Sequence, residues 1–283
     1  MFEVPGWFIE KTPMNAGFAL GAKIKEKLFE TQSDFQKIEV YDTEQFGRML
    51  VLDGVIQLTE SDEFSYHEMF VHVPMNAHPD PKHVLVVGGG DGGMVRELVK
   101  YHQLETIEMC EIDEQVVRIS EKLLPFTSSG LTDSRVTLYF EDAAEFLKRK
   151  AGAYDLILVD SSDPVGPAEV LFRKPFFESI HGALKPGGAA LTQCETIFLF
   201  LDIIEKMVQI GKELFPNVEY MNTLVPTYPS GMIGQLVCSK AGSYRKPVRE
   251  IPREISENLR YYSPGVHEAA FHLPAFAHRR LFG

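Results

Sequence analysis

Three things are scarce in this 283-residue chain: cysteine, positive charge and long apolar runs. No stretch reaches the 18 or so apolar residues that a bilayer span needs, and the best candidate, 197–210, is broken by Asp202, Glu205 and Lys206. The three cysteines, Cys110, Cys194 and Cys238, lie far apart in apolar, strand-like contexts. That spacing suits neither a disulfide framework nor a cysteine metal site, and they are expected as core side chains. Lys and Arg total 28 against 40 Asp and Glu, a net charge of −12. A chain with so little basic surface has no means of neutralising a phosphate backbone, so no nucleic-acid partner is expected. The acidic balance does permit a cationic ligand. The opening MFEVPGWFIEK lacks a basic start followed by an apolar run, so a cytoplasmic, membrane-free chain is the expectation.

What is present falls into two styles. Residues 1–75 alternate apolar and polar positions, with Phe46-Gly47-Arg48 and Asp53-Gly54 as turn signals. This reads as a β-hairpin domain closed by a linking helix from Asp62 to about residue 77, with Ser61 or Asp62 as its cap and Phe64, Met69, Phe70 and Val73 inward. From His83 the grammar changes. HVLVV, TIEMCEI, RVTLYF and YDLILVD are short, continuously apolar strands separated by helical stretches at 94–101, 114–124 and 143–150. Strands of that kind alternating with helices predict a parallel sheet buried on both faces, an α/β domain over 76–283. Further elements are expected at 172–183 (helix), 185–188 (turn), 189–193 (strand), 198–215 (helix), 218–223 and 235–239 (strands), before a helical and extended tail.

In such sheets ligands bind beyond the carboxyl ends of the strands. Each of the first four ends here carries an acid: Asp91 within Gly88-Gly89-Gly90-Asp91-Gly92-Gly93, then Glu111, Asp142 and Asp160. The glycine loop fits a dinucleotide fingerprint, but Asp91 would lie where a pyrophosphate rests, and like charges repel at contact distance. A cation would be welcome there; the lesser alternative is that Asp91 only caps the next helix. Glu111 suits a ribose diol or a solvated corner, and Asp142 an adenine amino group or a helix cap. The loop Asp160-Ser161-Ser162-Asp163-Pro164-Val165-Gly166-Pro167 reads as paired carboxylates that hold an ammonium or collect a proton, against an Asx-turn loop.

GWFIE (6–10), LVLDGVIQLTESDEFSYHEM (50–69), GGGDGG (88–93), EID (111–113), DSSDPVGPAE (160–169) and PTYPSG (226–231) resemble the spermidine synthase family over almost the whole chain. The resemblance implies a small N-terminal β-domain, a Rossmann-like domain of methyltransferase type, and a homodimer or higher homo-oligomer. It implies transfer of the aminopropyl group of decarboxylated S-adenosylmethionine, a co-substrate, to putrescine, giving spermidine and methylthioadenosine without metal or other cofactor. It places Gln36, His67, Asp91, Glu111, Asp142, Ala143 and Pro167 at the donor. Tyr66, Asp160, Asp163, Tyr228, Gln57, Gln193 and Trp7 fall at the acceptor, with Trp7 closing the cavity. Asp160 would be the catalytic base, assisted by Tyr66. Ala143 stands where many members have glycine, and His67 where some have glutamine. The rival readings are a methyltransferase, disfavoured because Val86 holds the position where that class carries an acid, an NAD-dependent oxidoreductase, and a polyamine-binding protein without catalysis.

Overall fold

The structure, a computed structural model, describes residues 4–10, 14, 17–162 and 166–283, without the side chains of 166–168. Strands β1 (Trp7–Ile9), β2 (Gly21–Gln32), β3 (Lys37–Thr43), β4 (Arg48–Leu52) and β5 (Val55–Thr59) form an antiparallel sheet in chain order. The β4–β5 turn is Asp53-Gly54 with φ of 48° and 81°, the left-handed pair that a two-residue hairpin of right-handed twist requires. One face of this sheet, through Ile38, Val40, Leu50 and Leu58, packs on Val116, Ile119 and Leu124 of the second half, so the hairpins are seated on it rather than tethered to it.

Helix α1 (Glu63–Ala77) leads into β6 (His83–Gly88), α2 (Gly93–Leu98), β7 (Thr106–Glu111), α3 (Glu114–Leu123), α4 (Pro125–Ser128), β8 (Val136–Phe140), α5 (Ala143–Leu147) and β9 (Tyr154–Asp160). A 3-10 turn (Gly166–Phe172) precedes α6 (Lys174–Ala183), β10 (Leu184–Gln193), α7 (Leu201–Leu214), β11 (Asn217–Leu224), β12 (Met232–Ser239), α8 (Arg253–Ser256), α9 (Pro264–Ala270) and α10 (Ala275–Phe282). The seven-stranded sheet runs β11-β12-β10-β9-β6-β7-β8, parallel from β10 to β8, with β12 antiparallel to both neighbours. Apolar layers cover both faces, one built around α1 and α2 and the other around α6, α7 and α10. The continuous apolar runs of β6 and β9 thus have the two-sided burial they call for. The fold is α/β, a parallel-rich sheet with an antiparallel β-domain before it. No helix among the described residues is long and apolar enough to cross a membrane.

Local departures have physical causes. Asp62 occupies the N-cap position of α1 but makes no cap bond, because its carboxylate accepts from Thr59 Oγ1 (2.7 Å) and from the Thr227 N–H (2.8 Å). Nearly all of α1 is buried, polar residues included, and most of those polar groups find partners: Glu68 accepts the backbone N–H groups of Arg260, Tyr261 and Tyr262, while Asn76 donates its amide but leaves Oδ1 unpaired. The turn expected at 185–188 lies inside β10 as an irregularity, with register slipping between Leu184 and Ala189. The helix expected from 172 starts at Lys174, after the 3-10 turn.

Candidate active site

β6 and β9 are hydrogen-bonded neighbours whose chains continue to opposite sides of the sheet, and the crevice opens at this switch point. Gly88 pairs there with Asp160. A cavity of about 240 Å³ lies over the strand ends. Its floor carries Asp91, Glu111, Asp142, Ala143, Asp160 and Gln193. The N-terminal sheet contributes Gln36 and Gln57, α1 contributes Tyr66 and His67, and the β11–β12 connection contributes Tyr228.

At the centre the Tyr66 hydroxyl donates to Asp160 Oδ1 at 2.6 Å. Burial, and then the charge of Asp91, raise the Asp160 carboxyl to about 6 against the pull of His67 and the Tyr66 hydrogen bond. Burial likewise pushes the Tyr66 phenol well above its ordinary value, so it is a donor. Asp91 accepts the Gly93 N–H at 2.8 Å, capping α2, and its Oδ1 also lies 3.3 Å from His67 Nε2. Capping and facing the cavity are therefore both true of this carboxylate. The other imidazole nitrogen, Nδ1, lies 2.6 Å from Glu63 Oε2. Glu63 in turn receives the Arg96 guanidinium in two bonds of 2.8 and 2.9 Å. Burial would strip the His67 proton, but Asp91 and Glu63 overcome it and hold the ring at about 10.

His67, Asp91 and Asp160 each place an oxygen or nitrogen within 4.8 Å of the others, a spacing that a metal ion could use. The residues do not fit that role. An imidazolium bonded on both nitrogens has no lone pair to give, and the cluster is already ion-paired internally.

Glu111, at the end of β7, accepts the Asp113 N–H at 2.9 Å, and burial pushes its carboxyl up to about 7. Asp113 caps α3 through Gln115 N and takes Ser33 Oγ at 2.6 Å and Gln36 Nε2 at 3.1 Å. Gln36 is thereby fixed over the Glu111 end of the cavity by the second half of the molecule. Asp142 caps α5 through the Ala144 N–H and is exposed at the rim, with the Ala143 backbone beside it. At the other end the Tyr228 hydroxyl bonds the Gln57 carbonyl, and its ring lies 6.0 Å from that of Tyr66. Gln193 Oε1 is buried without a hydrogen-bond partner, a polar group open to a ligand donor.

Trp7 sits on the edge strand β1, 45 % exposed, and does not line the cavity. Asp163 and the Pro167 side chain lie outside the described residues. Glu195, two residues past Gln193, lines the cavity with φ of 50° and was missed from sequence, although it too follows a strand end. Glu63 and Arg96 were also missed, since nothing local marks a partner 33 residues away. Two glycines of the loop make room for protein groups: a Cβ on Gly93 would meet the His67 ring at 2.3 Å, and one on Gly88 the Asp160 carbonyl oxygen at 2.1 Å.

Comparison with known proteins gives one answer. Residues 63–247 match the family model described as spermine/spermidine synthase domain, and residues 6–60 the one described as spermidine synthase tetramerisation domain. A spermidine synthase of Dictyostelium discoideum is 45 % identical over 276 residues, covering 98 % of this chain and 97 % of that protein. One of Solanum lycopersicum is 47 % identical over 285 residues, covering 98 % and 83 %. The crystal structure of a spermidine synthase in complex with the transition-state analogue AdoDATO superposes with a TM-score of 0.91 at 33 % identity, covering 97 % of this chain and 94 % of the other. That from Thermotoga maritima gives 0.89 at 33 % identity, with the same coverage.

Proposed function

Because the chain belongs to the spermidine synthase family and is an enzyme of that kind, we propose that it transfers the aminopropyl group of decarboxylated S-adenosylmethionine to putrescine in the cytoplasm. Asp160 is the base in this reading. Residues 76–283 supply Asp91 and Asp160, while residues 1–75 supply Tyr66 from their closing helix and the hairpins that cover the cavity. The observation that carries it is the Tyr66–Asp160 bond beside Asp91, a hydroxyl and two carboxylates at the switch point of the sheet.

An alkylammonium has a pKa near 10.4 and no lone pair while protonated. It gives its proton to Asp160, and the freed nitrogen attacks the propyl carbon bonded to sulfur. The C–S bond breaks, its electron pair goes to the sulfonium, and neutral methylthioadenosine leaves. Asp160 at about 6 is a stronger base than an ordinary aspartate. The remaining gap of about 4 units, on the order of 6 kcal/mol, narrows because the adjacent sulfonium disfavours a second cation at the attacking nitrogen. Tyr66 donates to one Asp160 oxygen and leaves the other for the amine.

The remaining roles are taken from the resemblance, and the cavity lining supports them for the residues it contains. Glu111 accepts the ribose hydroxyls, with Gln36 over them, and Asp142 with the Ala143 N–H meets adenine. Pro167 lies on the segment covering the adenosine. Asp91 meets the ammonium of the aminopropyl end, and His67 is part of the donor site through its contact with Asp91. Tyr228, Gln57 and Gln193, which line the cavity, receive the diamine, with Asp163 assigned to it from the resemblance alone; Trp7, outside the lining, takes no part. The donor is a co-substrate, and no further cofactor is invoked. The tetramerisation-domain match over 6–60 supports a homodimer or larger assembly, which light scattering reads directly.

The test is release of methylthioadenosine from the donor with putrescine, cadaverine, agmatine or spermidine, followed by chromatography. Putrescine should give the highest kcat/KM. No release with any of them overturns the assignment.

A further inference from the structure

Two carboxylates facing one small cavity do not ordinarily both stay ionised, because each penalises the charge of the other and burial penalises both. Asp91 and Asp160 are in that position, and the reaction proposed above uses both as anions. Something must offset one negative charge without blocking the cavity. The obvious candidate is His67, whose Nε2 lies 3.3 Å from Asp91 and whose ring presents a nitrogen within 4.8 Å of an Asp160 oxygen.

A buried histidine is by default neutral, since burial disfavours its charged form. His67 is 2 % exposed. Its ring is held on the far side by Glu63 at 2.6 Å, and Glu63 is held by both terminal nitrogens of Arg96. Arg96 is itself fixed by the Phe126 carbonyl at 2.6 Å and by Glu97 Oε1 at 2.9 Å. The result is a row of alternating charge running inward from α2: Glu97, Arg96, Glu63, His67, Asp91. Gly93 has no Cβ to push the ring away.

We propose that Arg96 and Glu63 are positioning residues that lock His67 as a permanent imidazolium, and that this buried cation lets Asp91 and Asp160 carry charge side by side. The groups facing His67 are Glu63 and Tyr66 on α1, Asp91 on the β6–α2 loop and Asp160 on β9, with Arg96 of α2 behind Glu63. Glu111 is the next carboxylate along the cavity, and the charge of Asp160 bears on it. Of these, Glu63 and Asp91 act to keep the proton on the ring, and their joint effect raises it well above a free histidine. Glu63→Gln removes one anion and leaves the Arg96 cation facing the ring, so both changes push the His67 proton off. Loss of that proton raises Asp160, which is then protonated, and useless as a base, at neutral pH.

The inference rests on the transferase reading for its kinetic arm but not for its structural arm. In the structural arm, the protein carrying 15N-labelled histidine is titrated by NMR without ligand. The His67 ring should show both nitrogens protonated from pH 6 to 9. In Glu63→Gln it should titrate within that range. A neutral His67 ring at pH 7 in the unmodified protein overturns the proposal whether or not the chain transfers an aminopropyl group, and whether or not the variant folds. In the kinetic arm, kcat/KM is followed against pH. The acid limb should move upward by about one to two pH units in Glu63→Gln and in His67→Gln, with no further movement when the two are combined. Glu63→Asp should restore part of the shift. A side chain that merely supports the fold would lower the height of the profile and leave its limb in place, and an unmoved limb overturns the proposal.

Discussion

Gly88 and Asp160 face each other across β6 and β9 so closely that a Cβ on the glycine would stand 2.1 Å from the Asp160 carbonyl oxygen. Gly88 also has φ of 75°, which disfavours any side chain. The glycine sets where Asp160 sits. Gly88→Ala should therefore cost on the order of 2–4 kcal/mol of stability and, in whatever folded protein remains, lower kcat more than it raises the donor KM. Urea denaturation and steady-state kinetics measure the two effects. An alanine variant with an unchanged midpoint and unchanged kcat would show that β6 and β9 can part without consequence.

Asp160→Asn keeps the shape of the side chain and removes its capacity to take a proton. The expected result is a fall in kcat of roughly 10²–10⁴-fold with donor affinity, read by calorimetry, changed far less. Near-normal turnover would remove Asp160 from the base role.

The elevated Glu111 carboxyl has a cost in the empty protein whose sign can be worked out. Burial holds it at about 7 in the folded protein against 4.5 for a free glutamate side chain. Between those values the folded state binds the extra proton, so stability falls as pH rises through the window, and the deficit is full above 7. Glu111→Gln should thus stabilise the ligand-free protein at pH 8 by up to about 3 kcal/mol and leave it near the unmodified protein at pH 4. The same substitution should weaken donor binding. Unmodified protein should bind the donor more tightly above pH 7 than at pH 6, because only the carboxylate is a full acceptor for a ribose diol. Thermal melts with and without donor at three pH values decide it.

Asp91→Asn removes one of the two carboxylates expected to repel the carboxylate of intact S-adenosylmethionine. The preference for the decarboxylated donor should drop about tenfold, corresponding to ~1.4 kcal/mol. Calorimetry with each donor checks this, and an unchanged ratio would assign the discrimination to another group.

How much of this was visible beforehand depends on the range of the interaction responsible. The strands of the large sheet were legible because β6 and β9 are buried on both faces and so must be apolar throughout. Once their order is parallel, the acids at their ends must share an edge, and Asp91, Glu111, Asp142 and Asp160 do line one cavity. Glu195 follows the same rule at the end of β10 and could have been found by extending it one strand further. Tertiary pairing was not legible. The Asp62 carboxylate abandons its cap for Thr227, 165 residues away, and Arg96 finds Glu63 across two helices, arrangements with no local signature. The β10 irregularity escaped because Lys185-Pro186-Gly187-Gly188 reads as a stop, yet strand pairing resumes at Ala189 after a slip that the sheet absorbs.

The way Asp113 grips Ser33 and Gln36 while Gln57 accepts from Tyr228 has a broader meaning. The acids on the floor of the cavity belong to one part of the chain, and much of the roof over them belongs to the hairpins. Replacing those hairpins with a different set of similar shape would therefore alter which molecules fit while leaving the reacting groups untouched. New acceptors could arise from the roof alone, provided the graft still offered a hydroxyl and an amide to Asp113.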